Sequence, residues 1–221
     1  LTVTETFISP NNSVGIKDSS TISASISEPA NWTVSINSNS GTVRNYNGSG
    51  TSIVANWDGR DNSAVLVADG RYSVTISATS SSSGLTAVGN HNFTITVDNI
   101  VPVANIDFTL QNANYQGVLN VPVTGRATDT NPSDYLVEYG SGSTPATWTV
   151  IASIQNTVVS SGVLADWAIA DANGVQIPNG LYSIRLTAND VAGNSNTDTV
   201  IIGIANALLY NVSVVGTTTF R

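Results

Sequence analysis

Three short stretches hold the side chains best suited to chemistry. Asp98 and Asn99 lie in VDNIVP, Asp129, Asn131 and Asp134 in DTNPSD, and Asp190 and Asn194 in NDVAGN. Carboxylate and amide oxygens brought in by separate loops suit a hard cation such as calcium, which takes roughly six to eight oxygen ligands. Asp and Asn also cap turns, so the same set reads either as a calcium site or as ordinary loop chemistry. Calcium is the one cofactor these residues suggest.

Other chemistries have less to stand on. His91 is the only histidine, cysteine is absent, and no serine sits in a G-x-S-x-G elbow, so a nucleophilic triad has no basis. Glu5, Glu28 and Glu138 supply carboxylates for glycoside hydrolysis, but they fall on separate strands and read as solvated groups. No metalloprotease, phosphate-loop or dinucleotide motif occurs. The expectation is that the chain is not an enzyme. A net charge of −8 with a pI near 4.2 repels nucleic acid and anionic lipid, and no apolar run is long enough to span a membrane. Neither nucleic acid nor membrane insertion is expected.

The compartment is read from what covers the surface. Lys17 is the only lysine, methionine is absent, and Ser, Thr and Asn must coat the outside, a pattern common in exported β-proteins. The chain opens LTVTETFISP, without a basic or apolar leader, as expected of a mature secreted chain or an excised fragment. The expected location is extracellular, at a cell surface. Lys17 is also the sole amine available for an intramolecular isopeptide bond.

The elements that must position the oxygen-rich loops are visible as a repeat. NWDGRDNSAVLVADGRY at 56–72 returns without a gap as DWAIADANGVQIPNGLY at 166–182, aligning Trp57 with Trp167, Gly70 with Gly180 and Tyr72 with Tyr182. The match continues through Val74/Ile184, Ile76/Leu186 and Ala78/Ala188, an alternation of period two, so turn chemistry and strand pattern are copied together. Asp58, Asp61 and Asp171 read as turn caps, and Gly70 and Gly180 as positions of positive φ. With no helical apolar stripe, the chain reads as all-β, two tandem immunoglobulin-like β-sandwiches of seven strands each. The expected units are residues 1–99, residues 100–206 and an extra C-terminal strand at 207–221. Strands are expected at 2–8, 21–29, 32–36, 43–46, 51–57, 71–79 and 91–97, with Pro29 ending the second. Across the boundary, alternation restarts at Ile106, Phe108 and Leu110.

The W-D-G-x-D…D-G-x-Y pattern of Trp57 to Tyr72, with ISPN at 8–11 and ISEPANWTVSI at 26–36, resembles the immunoglobulin-like domain of flagellar hook-capping proteins and related bacterial surface modules. The second copy is similar through Trp167, Asn173-Gly174, Asn179 to Tyr182 and NDVAGN, and VDNIVP is similar to a junction between tandem modules. The resemblance implies structural or assembly roles and carries no catalytic residues. It implies a stalk or a subunit of a surface fibre or appendage, partnered by copies of itself or by neighbouring modules.

Terminal strands are the candidates for such assembly. Thr2, Val3, Phe7 and Ile8 at one end, and Leu208, Tyr210, Val212 and Val214 at the other, are apolar enough to complete a neighbour's open sheet edge. The other reading is an adhesin or carbohydrate-binding module of a larger secreted protein, with Trp148 as the aromatic platform unless it packs in the core.

Overall fold

The computed structural model describes all residues except 12–15, 90–92, 117, 171–172, 174 and 206–221, and the backbone alone at 88–89. His91, Asp171, Gly174 and the strand expected at 207–220 lie outside the described residues.

Ile22, Val34, Ile36, Ile53, Val74, Ile95 and Val97 alternate with exposed polar neighbours and are buried together with Trp57 in one core. Nothing but paired strands can bury such a period-two pattern, and the elements follow from it. They are β1 (Thr2–Val3), β2 (Phe7–Ile8), β3 (Ser20–Ser38), β4 (Gly41–Trp57), β5 (Gly70–Ser80), β6 (Thr86–Gly89) and β7 (Thr94–Val97). The sheet order is β1-β3-β5-β7-β2, with β4 on β3 and β6 on β5.

The long strands bend from one layer of the sandwich to the other. β3 pairs with β4 over Ser20–Ser25 and again over Ala30–Ser38, with a register shift between Ser25 and Ala30. The strand expected to stop at Pro29 therefore runs on, because proline sits in the shift, where no ladder donor is needed. Likewise, the two strands expected at 43–46 and 51–57 are one. Gly48 packs against the Trp32 indole, and Gly50 has φ +113°.

The second core is separate, built on Val121, Val123, Val137, Trp167, Ile184, Leu186 and Ile202. Its strands are β8 (Val103–Ile106), β9 (Asn114–Gln116), β10 (Asn120–Thr128), β11 (Pro132–Ser141), β12 (Thr149–Gln155), β13 (Val159–Ala168), β14 (Gly180–Asp190) and β15 (Ser195–Ala205). The sheets β13-β10-β8 and β12-β11-β14-β15-β9 face each other. Alternation restarts earlier than expected, at Val103. Residues 108–110 form a 3₁₀ turn that leaves Phe108 86% exposed, since strand pairing with β10 ends at Ile106.

The repeated loop is built as its sequence implies. Trp57 is fully buried, its ring 5.1 Å from that of Tyr72 in an edge arrangement, and its indole donates to the Arg60 carbonyl. The Tyr72 hydroxyl donates to the Ala68 carbonyl at 2.7 Å, and Tyr182 repeats this with Pro178 at 2.8 Å. Asp61 accepts from the Ser63 and Val65 backbones, and Asp58 from that of Arg60, so both are turn caps. Val65, in the same loop, is 60% exposed, since it precedes β5 and lies outside the core.

Gly70 and Gly180 have φ of +149° and +156°, with open space where a Cβ would point. The constraint is thus the backbone alone. Gly70→Ala should cost about 1–2 kcal/mol in a denaturant titration, whereas Ala64→Gly, at φ +63°, should be neutral or stabilising. Equal effects at the two positions would contradict this account.

Candidate metal centre at the junction

The chain leaves the first sandwich at Val97, and Asp98 lies between that exit and the top of the second sandwich. There β10 ends at Thr128 and delivers Asp129, while β14 ends at Asp190. Asp98, Asp129 and Asp190 converge, offering carboxylate oxygens all within 4.8 Å of one another. Asp98 and Asp190 are 5% and 4% exposed, so their charges are taken from water and meet the neutral N–H donors of Ile100, Asn131 and Asn194.

Amides offset part of that burial. Asn131 donates its NH2 to Asp98 Oδ2 at 2.7 Å, and Asn194 donates to Asp190 Oδ2 at 2.7 Å and to the Asp98 carbonyl at 3.0 Å. Both amides therefore act as donors to the cluster rather than presenting oxygen to its centre. Backbone N–H groups of Ile100, Asn131 and Asn194 donate to the Asp98, Asp129 and Asp190 carboxylates in turn. Burial raises the pKa of Asp190 against the hydrogen bonds from Asn194, and the Asp98 charge raises it further. Asp129 is raised by burial, opposed by the Asn131 N–H, and raised again by the charges of Asp98 and Asp190. A carboxylate with a raised folded pKa binds protons more readily folded than unfolded. Its ionisation therefore lowers stability as pH rises through the folded value. Asp129→Asn should raise the melting temperature at neutral pH in chelator and flatten its rise on mild acidification; an unchanged profile would count against the electrostatic reading.

Three carboxylates in this spacing can hold a hard cation. The other residues named for the site face elsewhere. Asn99 donates to Asp69 at 2.7 Å and accepts from the Asn11 backbone, on the first sandwich. Asp134 accepts from Asn189 at 2.7 Å and from Ser133, along the β11–β14 ladder.

Two further residues tie the modules together. Ser9 Oγ donates to Asn194 Oδ1 at 2.7 Å, and Lys17 Nζ donates to the Val191 carbonyl at 2.9 Å while lying 3.5 Å from Glu5. Sequence reasoning missed both pairings, which join residues 185 and 174 positions apart and leave no local signal.

The N-terminal assembly candidates are used within the fold. Thr2 and Val3 pair with Ser23 and Ile22, and Phe7 and Ile8 pair with Thr96 and Val97, with Ile8 fully buried. This corrects the expectation that they complete a neighbour's edge: their apolar faces close their own sandwich. Leu208, Tyr210, Val212 and Val214 lie outside the described residues. Trp148 is half-buried and outside the second core, with the Arg185 guanidinium 4.1 Å above its ring.

Residues 9–82 match the family model of the FlgD Ig-like domain. No curated protein matches the chain significantly. Among solved structures, a tetra-tandem repeat in the extending region of a large adhesion protein is similar at 16% identity and a TM-score of 0.36, over 92% of this chain and 49% of that one. Dimeric latent PorU from Porphyromonas gingivalis is similar at 16% identity and a TM-score of 0.31, over 91% of this chain and 17% of that one. The chain thus spans less than half the length of either. It is all-β, a tandem of immunoglobulin-like sandwich modules, the first of which is similar to the FlgD Ig-like domain over residues 9–82.

Proposed function

We propose that the chain is a non-catalytic structural part of an extracellular, cell-surface protein, a stiff spacer within a stalk, fibre or appendage whose partners are neighbouring modules or other copies. The observation that supports this reading is the junction. Asn194, 3% exposed, binds Ser9 of the first module, the Asp98 carbonyl of the linker and Asp190 of its own loop. Buried hydrogen bonds across a linker hold two modules at one angle, whereas a flexible tether would leave them to tumble.

Small-angle scattering tests it. The wild type should give one extended shape with a longest dimension on the order of 80 Å, from two strand lengths of about 35 Å plus loops. Asn194→Ala should broaden the distribution of inter-module distances without unfolding either core. A wild type already as broad as the variant would sink the proposal.

Calcium among Asp98, Asp129 and Asp190 would strengthen the same junction. For a dissociation constant on the order of 0.5 mM, typical of extracellular modules, about 5 mM calcium adds roughly 1.4 kcal/mol. The melting temperature should rise by several degrees over that in chelator, and the rise should vanish in Asp129→Asn. No difference between calcium and chelator removes the metal from the proposal. A carbohydrate-binding role through Trp148 has less support, because Arg185 already covers one face of the ring.

A further inference from the structure

The two modules fill one side of the sandwich differently. In the first, Val34 pairs with Ile76 and with Tyr46, and Ile36 pairs with Val74 and with Arg44. In the second, Val137 pairs with Leu186 and Ala152, and Tyr139 pairs with Ile184 and Thr149. Ile76 and Leu186 are aligned copies, as are Val74 and Ile184, so Ala152 stands where the first module has Tyr46, Thr149 where it has Arg44, and Tyr139 where it has Ile36. In the first module the half-buried Tyr46 ring, with the Arg44 guanidinium 5.1 Å above it, reaches across to the far end of β4, and its hydroxyl donates to the Asn56 carbonyl at 2.8 Å. Asp166 is the counterpart of Asn56, and the Ala152 methyl is too short to reach it. A cleft of about 300 Å³ stands there instead, walled by Tyr139, residues 149–151 and residues 166–168.

We propose that this cleft binds one pyranose ring of a neutral sugar. The inference goes beyond the spacer reading and does not depend on it. The first module shows what fits the same place: a six-membered ring whose hydroxyl meets the strand beside the buried tryptophan. Tyr139 packs against Trp167, ring centroids 4.5 Å apart, and also lines the cleft, so it offers an aromatic surface to the C–H groups of a sugar. Its hydroxyl makes no hydrogen bond among the described residues, whereas those of Tyr46, Tyr72, Tyr135 and Tyr182 each donate to a backbone carbonyl. Asp166 and Thr149 are exposed on the other walls, and neither side chain bonds to another described residue.

Those polar groups choose among ring-shaped ligands. A phenol satisfies one of them at most, whereas a pyranose carries hydroxyls around its rim, and the carboxylate, the threonine hydroxyl and the tyrosine hydroxyl can each bond one. None of the described walls is basic, and a chain of net charge −8 disfavours a phosphorylated or sulfated sugar. The volume is at the low end of the roughly 300–1,000 Å³ of small-molecule sites, which suits one ring. Trp148, whose ring Arg185 covers, is not one of the walls, so this site is separate from the one considered above.

Amide NMR of the isotope-labelled 221-residue chain tests this. D-glucose, D-galactose, D-mannose and N-acetyl-D-glucosamine are titrated separately to about 50 mM, above the dissociation constant on the order of 1–10 mM that one ring can reach. At least one sugar should shift the amides of residues 149–151 and 166–168 saturably and leave those of Arg44 and Tyr46 unmoved. Asp166→Ala, at an exposed position, should weaken binding about tenfold. Ala152→Tyr, which rebuilds the first module's filling, should abolish it, and Trp148→Ala should leave it unchanged. Circular dichroism confirms that the variants fold, and Asp166→Ala decides alone if Ala152→Tyr does not. No saturable shift from any of the sugars, or binding that survives Asp166→Ala at full strength, overturns the proposal. So does N-acetyl-L-tyrosinamide saturating the cleft where no sugar does, since the occupant would then be the aromatic side chain of a partner protein.

Discussion

Trp57→Ala is expected to destabilise the first module by about 3–5 kcal/mol and, with module stabilities of roughly 5–15 kcal/mol, to leave it marginal. Trp57 is fully buried, stacks edge-on against Tyr72, and hydrogen-bonds through its indole to Arg60. Alanine would remove the apolar area, leave a cavity between the layers, and release the loop that the ring anchors. Tyr72, which reaches back to Ala68 from the other end of that loop, would lose its aromatic partner as well. Guanidinium unfolding followed by tryptophan fluorescence should show the first module melting early while the second is unchanged. A loss below about 1 kcal/mol would mean that the ring does not organise the module.

Arg185→Met is expected to cost the second module about 3 kcal/mol. Glu138 is 8% exposed, and Arg185 donates to its Oε2 through Nε at 3.0 Å and Nη2 at 2.6 Å. Removing the guanidinium leaves a carboxylate on β11 short of water and without its partner, which is costlier than losing an exposed pair. Because the Arg185 side chain is about a third exposed, the low end of the usual 3–5 kcal/mol applies. The pair Arg185→Met with Glu138→Leu should recover most of the loss, since no charge is then stranded. Trp148 emission should also shift as its cation partner goes. A double variant no more stable than the single one would refute the stranded-charge account.

Much of this was legible in the chain, and the reason is local. Trp57, Gly70 and Tyr72, with their copies Trp167, Gly180 and Tyr182, act through turns and rings a few residues away, so their spacing carries their structure. The strands of each core were readable for the same reason, since a buried face must alternate. Illegible were the continuity of β3 through Pro29 and the fate of Phe108. Both depend on which partner strand is present at that point, and pairing partners lie far off in sequence. Trp148 was ambiguous for a related reason, because its neighbour Arg185 comes from another strand.

The sequence by itself determined two sandwich modules, the chemistry of their repeated loop, and the presence of three acidic loop stretches. Each of those is written in residues that act on near neighbours. Only the tertiary structure decided that Asp98, Asp129 and Asp190 meet while Asn99 and Asp134 turn away. It also decided that Ser9 and Lys17 bind across the junction and that Thr2, Val3, Phe7 and Ile8 close their own sandwich. These outcomes rest on which edges and loop ends come together when both cores are packed, and no local pattern encodes that.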